Sequence, residues 1–108
     1  MGTDNAYSAI LFEHASDVAK QIRSRFSVER ILLFGSCARG EARQSSDRDI
    51  LVIGVSEFSY KERKSKLYSF VDPPCEINML WYTPEELSRM KQMGISFIRY
   101  ALNESVEL

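Results

Sequence analysis

Apolar residues recur along the first half of the chain in two distinct patterns. Over residues 6–26 they return every three or four positions, which predicts an amphipathic helix with one buried face. That stripe consists of Leu11, Ala15, Val18, Ile22 and Phe26. The segments Val28–Phe34 and Asp49–Gly54 instead hold consecutive apolar residues, which is typical of short strands covered on both faces. The first half of the chain therefore predicts one helix and two central strands.

The second half begins with another helix and another strand. Residues 60–71 have helical character, with apolar side chains on one face. Four cations of this segment are expected to face solvent, namely Lys61, Arg63, Lys64 and Lys66. Cys75–Tyr82 alternates in part and predicts a third strand, in which Glu76 and Asn78 share one face.

Two further helices are predicted near the end of the chain, over residues 84–92 and 95–104. The first should begin with Thr83 as its N-cap and with Glu86 closing a capping box. The resulting order αβαβαβαα predicts a single α/β (α+β) domain over residues 1–108. Its small mixed sheet should have three to four strands flanked by helices.

Composition and charge narrow the classes of function. The chain has 108 residues, with 14 Lys and Arg against 15 Asp and Glu, so its formal net charge is −1. Proteins that bind nucleic acid through its phosphates usually have a clear basic excess, so this balance does not favour nucleic-acid binding. The N-terminus has no signal-peptide pattern, and no apolar run is long enough to cross a bilayer. We therefore expect a cytoplasmic protein that does not insert into a membrane.

A Gly-Ser pair follows the first predicted strand and leads into a short predicted helix over Cys37–Arg43. Gly35 allows the backbone to approach a ligand closely, and the first N–H groups of a helix have no partner within it. These groups, together with the Ser36 hydroxyl, are suited to binding phosphate. Arg39 follows about one turn later, where its guanidinium could reach the same anion.

Two carboxylates, Asp47 and Asp49, precede the second apolar strand. Residues two positions apart on a strand face the same side, so these carboxylates would repel each other unless a cation lay between them. Hard oxygen ligands of this kind suit Mg²⁺ or Mn²⁺. A phosphate cradle followed by paired aspartates therefore indicates metal-assisted phosphoryl or nucleotidyl transfer.

The spacing of these motifs resembles the minimal nucleotidyltransferase (MNT) family of the DNA polymerase beta superfamily, of the MntA-like antitoxin type. That family has Gly-Ser, ten residues and Asp-x-Asp, as in Gly35-Ser36 and Asp47-Arg48-Asp49. The segment Ala38-Arg39-Gly40 and Ser46 also match its pattern, as do residues 81–87 and 97–102. The resemblance therefore extends over nearly the whole chain.

This resemblance implies a polymerase beta-like nucleotidyltransferase fold and transfer of a nucleoside monophosphate. The substrate would be ATP or another nucleoside triphosphate, with AMP the expected group, and Mg²⁺ or Mn²⁺ the cofactor. Gly35, Ser36, Arg39 and Ser46 would hold the triphosphate. Proteins of this kind often form a toxin–antitoxin pair with a helical HEPN-type partner. Such a partner or a second copy of the chain could provide the acceptor site, and the acceptor itself is expected to be a protein or a small molecule.

The sequence departs from the family at one position. The superfamily normally has a third carboxylate on a later strand, which holds the catalytic metal and activates the acceptor hydroxyl. Counting back from Trp81, that position falls on Asn78, and an amide is neither a base nor a charged ligand. Glu76 lies on the same predicted face, but about 6.5–7 Å away. It is the candidate catalytic carboxylate beside Asp47 and Asp49 only if the register shifts or the strand is bulged.

Two hypotheses of different classes follow. In the first, the chain is an active nucleotidyltransferase that uses Glu76 as its third carboxylate. In the second, it is a catalytically weakened domain that binds nucleotide or a partner protein. The positions of Glu76 and Asn78 relative to the aspartate pair would discriminate between them.

Overall fold

The structure is a computed structural model that describes residues 6–35, 48–69 and 77–108. Its helices are α1 (Ala6–Arg25), α2 (Tyr60–Tyr68), α3 (Pro84–Gln92) and α4 (Ser96–Asn103). Its strands are β1 (Arg30–Phe34), β2 (Arg48–Ile53), β3 (Ile77–Tyr82) and β4 (Val106–Glu107). The short helix predicted over Cys37–Arg43 lies outside the described residues. The other predicted elements are present at nearly the expected positions.

The four strands form one mixed sheet in the order β3-β2-β1-β4. β1 is antiparallel to both β2 and β4, whereas β2 and β3 are parallel. This arrangement confirms the predicted α/β class with a small mixed sheet. Strand β4 was not predicted as a strand, because two residues are too few to show any period. It pairs with the central strand β1, and the Leu108 N–H donates to the Ile31 carbonyl over 2.8 Å.

Both faces of the sheet are covered, as the consecutive apolar residues of β1 and β2 predicted. Ile31 and Leu33 of β1 face the cluster that α1 covers, and the α1 stripe packs there with Ile22 fully buried. Leu32 and Phe34 face the opposite cluster, which includes Leu87 of α3 and residues Ile98 and Ala101 of α4. The alternation of side chains along each strand thus divides the core into two layers.

Helix α2 covers the outer edge of β3, which is the last strand on that side of the sheet that the described residues form. The Arg63 guanidinium donates to the Trp81 carbonyl over 2.7 Å near one end of the strand. At the other end, the Tyr68 hydroxyl donates to the Ile77 carbonyl over 2.9 Å and accepts from the Met79 N–H over 2.8 Å. Unpaired edge groups invite pairing with other chains, so these contacts close a vulnerable edge.

The prediction that Arg63 faces solvent was wrong, because this side chain is almost completely buried. Its guanidinium forms two hydrogen bonds to the Glu86 carboxylate, of 2.7 and 2.9 Å. It also donates to the Phe58 carbonyl over 2.9 Å. Only tertiary packing brings the edge of β3 and the start of α3 to this side of α2. The other three cations of the segment are not buried, in agreement with the prediction.

Glu86 has two roles at the start of α3. It forms the predicted capping box with Thr83, whose N–H donates to the Glu86 carboxylate over 2.9 Å. The adjacent Arg63 guanidinium, helped by the Thr83 hydrogen bonds, lowers the pKa of Glu86 from its usual 4.5 to about 2. Glu86 therefore joins α2, β3 and α3 through one charged group.

We expect Glu86→Gln to destabilise the protein by about 2 kcal/mol at neutral pH. This is less than for a fully buried pair because Glu86 keeps some contact with water. Gln can still close a capping box, so the loss comes from the charge. Since the folded-state pKa is depressed, the stabilisation is complete above about pH 4.5 and is lost as the pH falls toward 2. Urea unfolding as a function of pH measures both effects.

The matched control is Glu85→Gln on the same turn. Glu85 pairs with Arg89 over 3.5 Å, and both side chains are largely exposed. Exposed pairs of this kind contribute little, so this variant should unfold nearly like the unsubstituted protein at every pH. Equal losses in the two variants would contradict the proposed role of the Arg63–Glu86 pair.

Candidate functional site

Three of the residues considered in the sequence analysis meet at one end of the sheet. β1 runs antiparallel to β2, so the end of β1 lies beside the beginnings of β2 and β3. Phe34 pairs with Asp49, and Asp49 pairs with Asn78. Gly35, Asp49 and Asn78 therefore follow one another across adjacent strands. The end of the sheet at which they lie therefore contains the predicted site residues Gly35 and Asp49, together with Asn78.

Gly35 allows the Asp49 carboxylate to lie close to the backbone that ends β1. Its φ of 83° lies in the left-handed region, which side chains other than glycine rarely adopt. A Cβ atom at this position would lie only 2.5 Å from Oδ2 of Asp49. Gly35 is thus required both by the backbone turn that ends β1 and by the neighbouring carboxylate.

The amide of Asn78 lies directly beside the same carboxylate. Its Nδ2 donates to Oδ1 of Asp49 over 3.1 Å. Because an ionised carboxylate only accepts hydrogen bonds, the amide nitrogen faces it. Asn78 of β3 thus lies next to Asp49, and its neutral amide adds no negative charge there.

The remaining predicted site residues lie outside the described residues, namely Ser36, Arg39, Ser46, Asp47 and Glu76. Their predicted roles stay predictions. Within the described ranges, no three His, Cys, Asp or Glu side chains lie close enough together to hold a metal ion.

A cleft of about 340 Å³ opens at this end of the sheet. One wall is aromatic, since Phe97 of α4 packs edge-on against Phe34 with ring centroids 5.7 Å apart. The opposite wall comes from α2 through Lys64 and Tyr68. The lining residues are Phe34, Asp49, Lys64, Tyr68, Asn78, Met79, Leu80 and Phe97. Sequence reasoning did not assign Lys64, Tyr68 or Phe97 to the site, because only the fold brings these two helices to the cleft.

Tyr68 holds the backbone on both sides of Asn78. Its hydroxyl bonds to the Ile77 carbonyl and to the Met79 N–H, the two edge groups that flank Asn78. On the opposite side, Asn78 pairs in register with Asp49. The Asn78 side chain therefore projects from a segment that is fixed along both edges.

The donor set around Asp49 suits a hard divalent cation in part. Oδ2 of Asp49 lies close to the backbone of Gly35, which accommodates it because glycine has no Cβ. Carboxylate oxygens are the ligands that Mg²⁺ and Mn²⁺ prefer. Asn78 offers a neutral amide, whose oxygen could face a cation only after the amide turned over. β2 contains one carboxylate, Asp49, which would serve as one ligand of such a cation.

Among the residues that the structure describes, no helix has the length and apolar character needed to cross a bilayer.

Comparison with known proteins agrees with this description. The family model described as nucleotidyltransferase domain matches residues 15–104. A stretch of 33 residues is 58% identical to protein adenylyltransferase MntA of Thermococcus cleftensis, and covers 31% of this chain and 33% of that protein. A stretch of 42 residues is 43% identical to a candidate protein adenylyltransferase of Methanocaldococcus jannaschii, and covers 39% of this chain and 42% of that protein. The matched stretches thus span less than half the length of these two relatives.

The fold also resembles that of a solved structure. The crystal structure of a candidate nucleotidyltransferase from Sulfolobus solfataricus superposes with a TM-score of 0.69 and 20% sequence identity. The superposition covers 99% of this chain and 86% of that one. At this sequence identity, the comparison shows only that the two chains share a fold.

We expect Tyr68→Phe to destabilise the protein by about 1–2 kcal/mol, because two backbone groups of β3 lose their partner. The Met79 amide should then exchange with solvent faster than in the unsubstituted protein. Amides of β3 that pair with β2 should be less affected, and they provide the internal control. Hydrogen exchange followed by NMR measures both. Uniform acceleration along β3 would instead indicate general loosening of the strand.

Proposed function

Because the chain belongs to the nucleotidyltransferase domain family, we propose that it transfers AMP from ATP to a protein acceptor with the aid of Mg²⁺ or Mn²⁺. The observation that carries this proposal is the adjacency of Gly35 and Asp49, since a Cβ at Gly35 would lie only 2.5 Å from a carboxylate oxygen of Asp49. Phosphate bound at the end of β1 would lie next to that oxygen. Nucleotidyl transfer needs this neighbourhood of phosphate site and metal ligand.

The proposal gives each predicted residue a separate task. Ser36, Arg39 and Ser46 would bind the triphosphate together with the backbone at Gly35. Asp47 and Asp49 would hold the cation, which neutralises charge on the triphosphate when bound. Phe34 and Phe97 form an apolar wall that excludes water from one side of the cleft.

The names of the two relatives support a protein as the acceptor, since both are described as protein adenylyltransferases. We further propose that the acceptor is a helical HEPN-type protein, in a toxin–antitoxin pair of the type expected from the sequence. The HEPN-type protein would then contribute the acceptor hydroxyl from the α2 side of the cleft.

A second candidate function is a catalytically weakened domain that binds nucleotide or a partner. The contact between Asn78 and Asp49 favours it, because an amide stands beside Asp49 where the family has a carboxylate. An amide cannot take the proton of an acceptor hydroxyl. In the active alternative Glu76, which lies outside the described residues, would have to take that proton.

Incubation with radiolabelled ATP, Mg²⁺ and the protein encoded by the neighbouring gene tests the two candidates. Under the first, the unsubstituted chain transfers AMP, and Glu76→Ala lowers the rate at least a hundredfold by removing the base. Under the second candidate, the unsubstituted chain transfers no AMP, whereas Asn78→Asp does. Asp47→Asn and Asp49→Asn should each abolish transfer, and Asp17→Asn on the exposed side of α1 is the control. Transfer that survives both site substitutions would refute the site.

We also expect Gly35→Ala to weaken ATP binding at least tenfold in the presence of Mg²⁺, because the new Cβ would displace the Asp49 carboxylate. Isothermal calorimetry measures the affinity. Gly94→Ala is a matched control, since Gly94 also has a left-handed φ, of 69°, but a Cβ there would make only an ordinary contact, 3.9 Å from Nη2 of Arg99. Both variants should lose about 1 kcal/mol of stability from backbone strain. Only Gly35→Ala should lose nucleotide affinity, and equal losses would contradict the role given to Gly35.

A further inference from the structure

Helix α2 presents a short basic stripe beside the candidate site. Lys61 and Lys64 are exposed, and their spacing puts them on the same side of the helix as Tyr68. The other charges of the helix are engaged elsewhere. Arg63 is buried against Glu86, Lys66 lies over the Phe58 ring at 4.2 Å, and Glu62 forms a capping box with Ser59. Among the described residues of α2, the charges that face outward near the cleft are therefore positive, although the chain as a whole has a net charge of −1.

The sheet order places this stripe on a definite side of Asp49. Gly35 follows β1 on one side, whereas Asn78 on β3 and then α2 lie on the other. In nucleotidyl transfer the attacking and leaving oxygens lie roughly in line, on opposite sides of the phosphorus. If the leaving phosphates lie at Gly35, the attacking hydroxyl must approach from the side of β3 and α2. Lys64 lines the cleft on that approach.

We propose that Lys64, supported by Lys61, selects the acceptor by binding carboxylates next to the hydroxyl that is modified. The acceptor would then be an acidic segment of a protein. This inference rests on the proposed function, and it adds the charge of the acceptor and the residues that recognise that charge. Tyr68 marks the cleft end of the stripe, and Lys61 lies about 10 Å further along the helix. That distance corresponds to about three residues of an extended peptide.

The geometry favours an acidic protein segment over a nucleic acid. A single-stranded nucleic acid is usually held by a long basic groove with several aromatic platforms. Among the described residues of α2, the outward positive charge near the cleft comes from two lysines on a helix of nine residues. A stripe of this size suits two or three carboxylates beside one hydroxyl.

Fluorescence anisotropy with labelled peptides tests this inference without requiring turnover. Each peptide has seven residues with a central tyrosine or serine, flanked on both sides by Glu, by Gln or by Lys. Binding is measured with Mg²⁺ and a non-hydrolysable ATP analogue, and a seven-nucleotide oligoadenylate serves as the nucleic-acid probe. We expect the Glu peptides to bind most tightly, with an affinity that falls as salt increases.

The variant Lys64→Glu should weaken binding of the Glu peptides about five- to tenfold, because it replaces attraction by repulsion. Lys20→Glu makes the same change at an exposed position of α1 and should have no effect. Glu peptides that bind no better than Gln peptides would overturn the inference. So would equal effects of the two substitutions, or tighter binding of the oligoadenylate. Calorimetry of ATP binding by the same samples separates the two proposals. If the protein does not bind ATP, the proposed function is refuted. If it binds ATP normally but binds the Glu, Gln and Lys peptides equally well, only the inference about the charge of the acceptor is refuted.

Discussion

Within the described residues, β3 is the outermost strand on one side of the sheet, and its outer backbone groups bond to side chains of α2. The positions of the neighbouring helices depend on these hydrogen bonds. Helix α2 supplies Arg63 at one end of this edge and Tyr68 at the other. Because Arg63 is also bonded to Glu86, the same helix anchors the start of α3. The need to satisfy one strand edge thus positions two helices, one of which forms a wall of the cleft.

This arrangement couples stability to the geometry of the site. Tyr68 fixes the backbone beside Asn78, and Asn78 in turn bonds to Asp49. Lys64 lies one turn before Tyr68 and therefore faces the same cleft. A change in how α2 packs would consequently alter both the position of Asn78 beside Asp49 and the position of Lys64 in the cleft.

Asn78 distinguishes this site from one with three carboxylates. Two adjacent carboxylates without a cation would repel each other, whereas the amide of Asn78 donates to Asp49. The same feature lowers the negative charge of the cleft, which agrees with an acceptor that itself brings carboxylates to Lys64.

The sequence by itself determined the elements whose signals are local. Periodicity identified α1, the apolar runs identified β1 and β2, and Thr83 with Glu86 marked the start of α3. The sequence also singled out Gly35, Asp49 and Asn78, although their chemical roles remain predictions. Tertiary structure alone decided what depends on contacts between distant segments. It buried Arg63, brought Lys64, Tyr68 and Phe97 to the cleft, and paired β4 with β1. Local patterns specify which face of an element is apolar, but the partner of a polar side chain is set by packing.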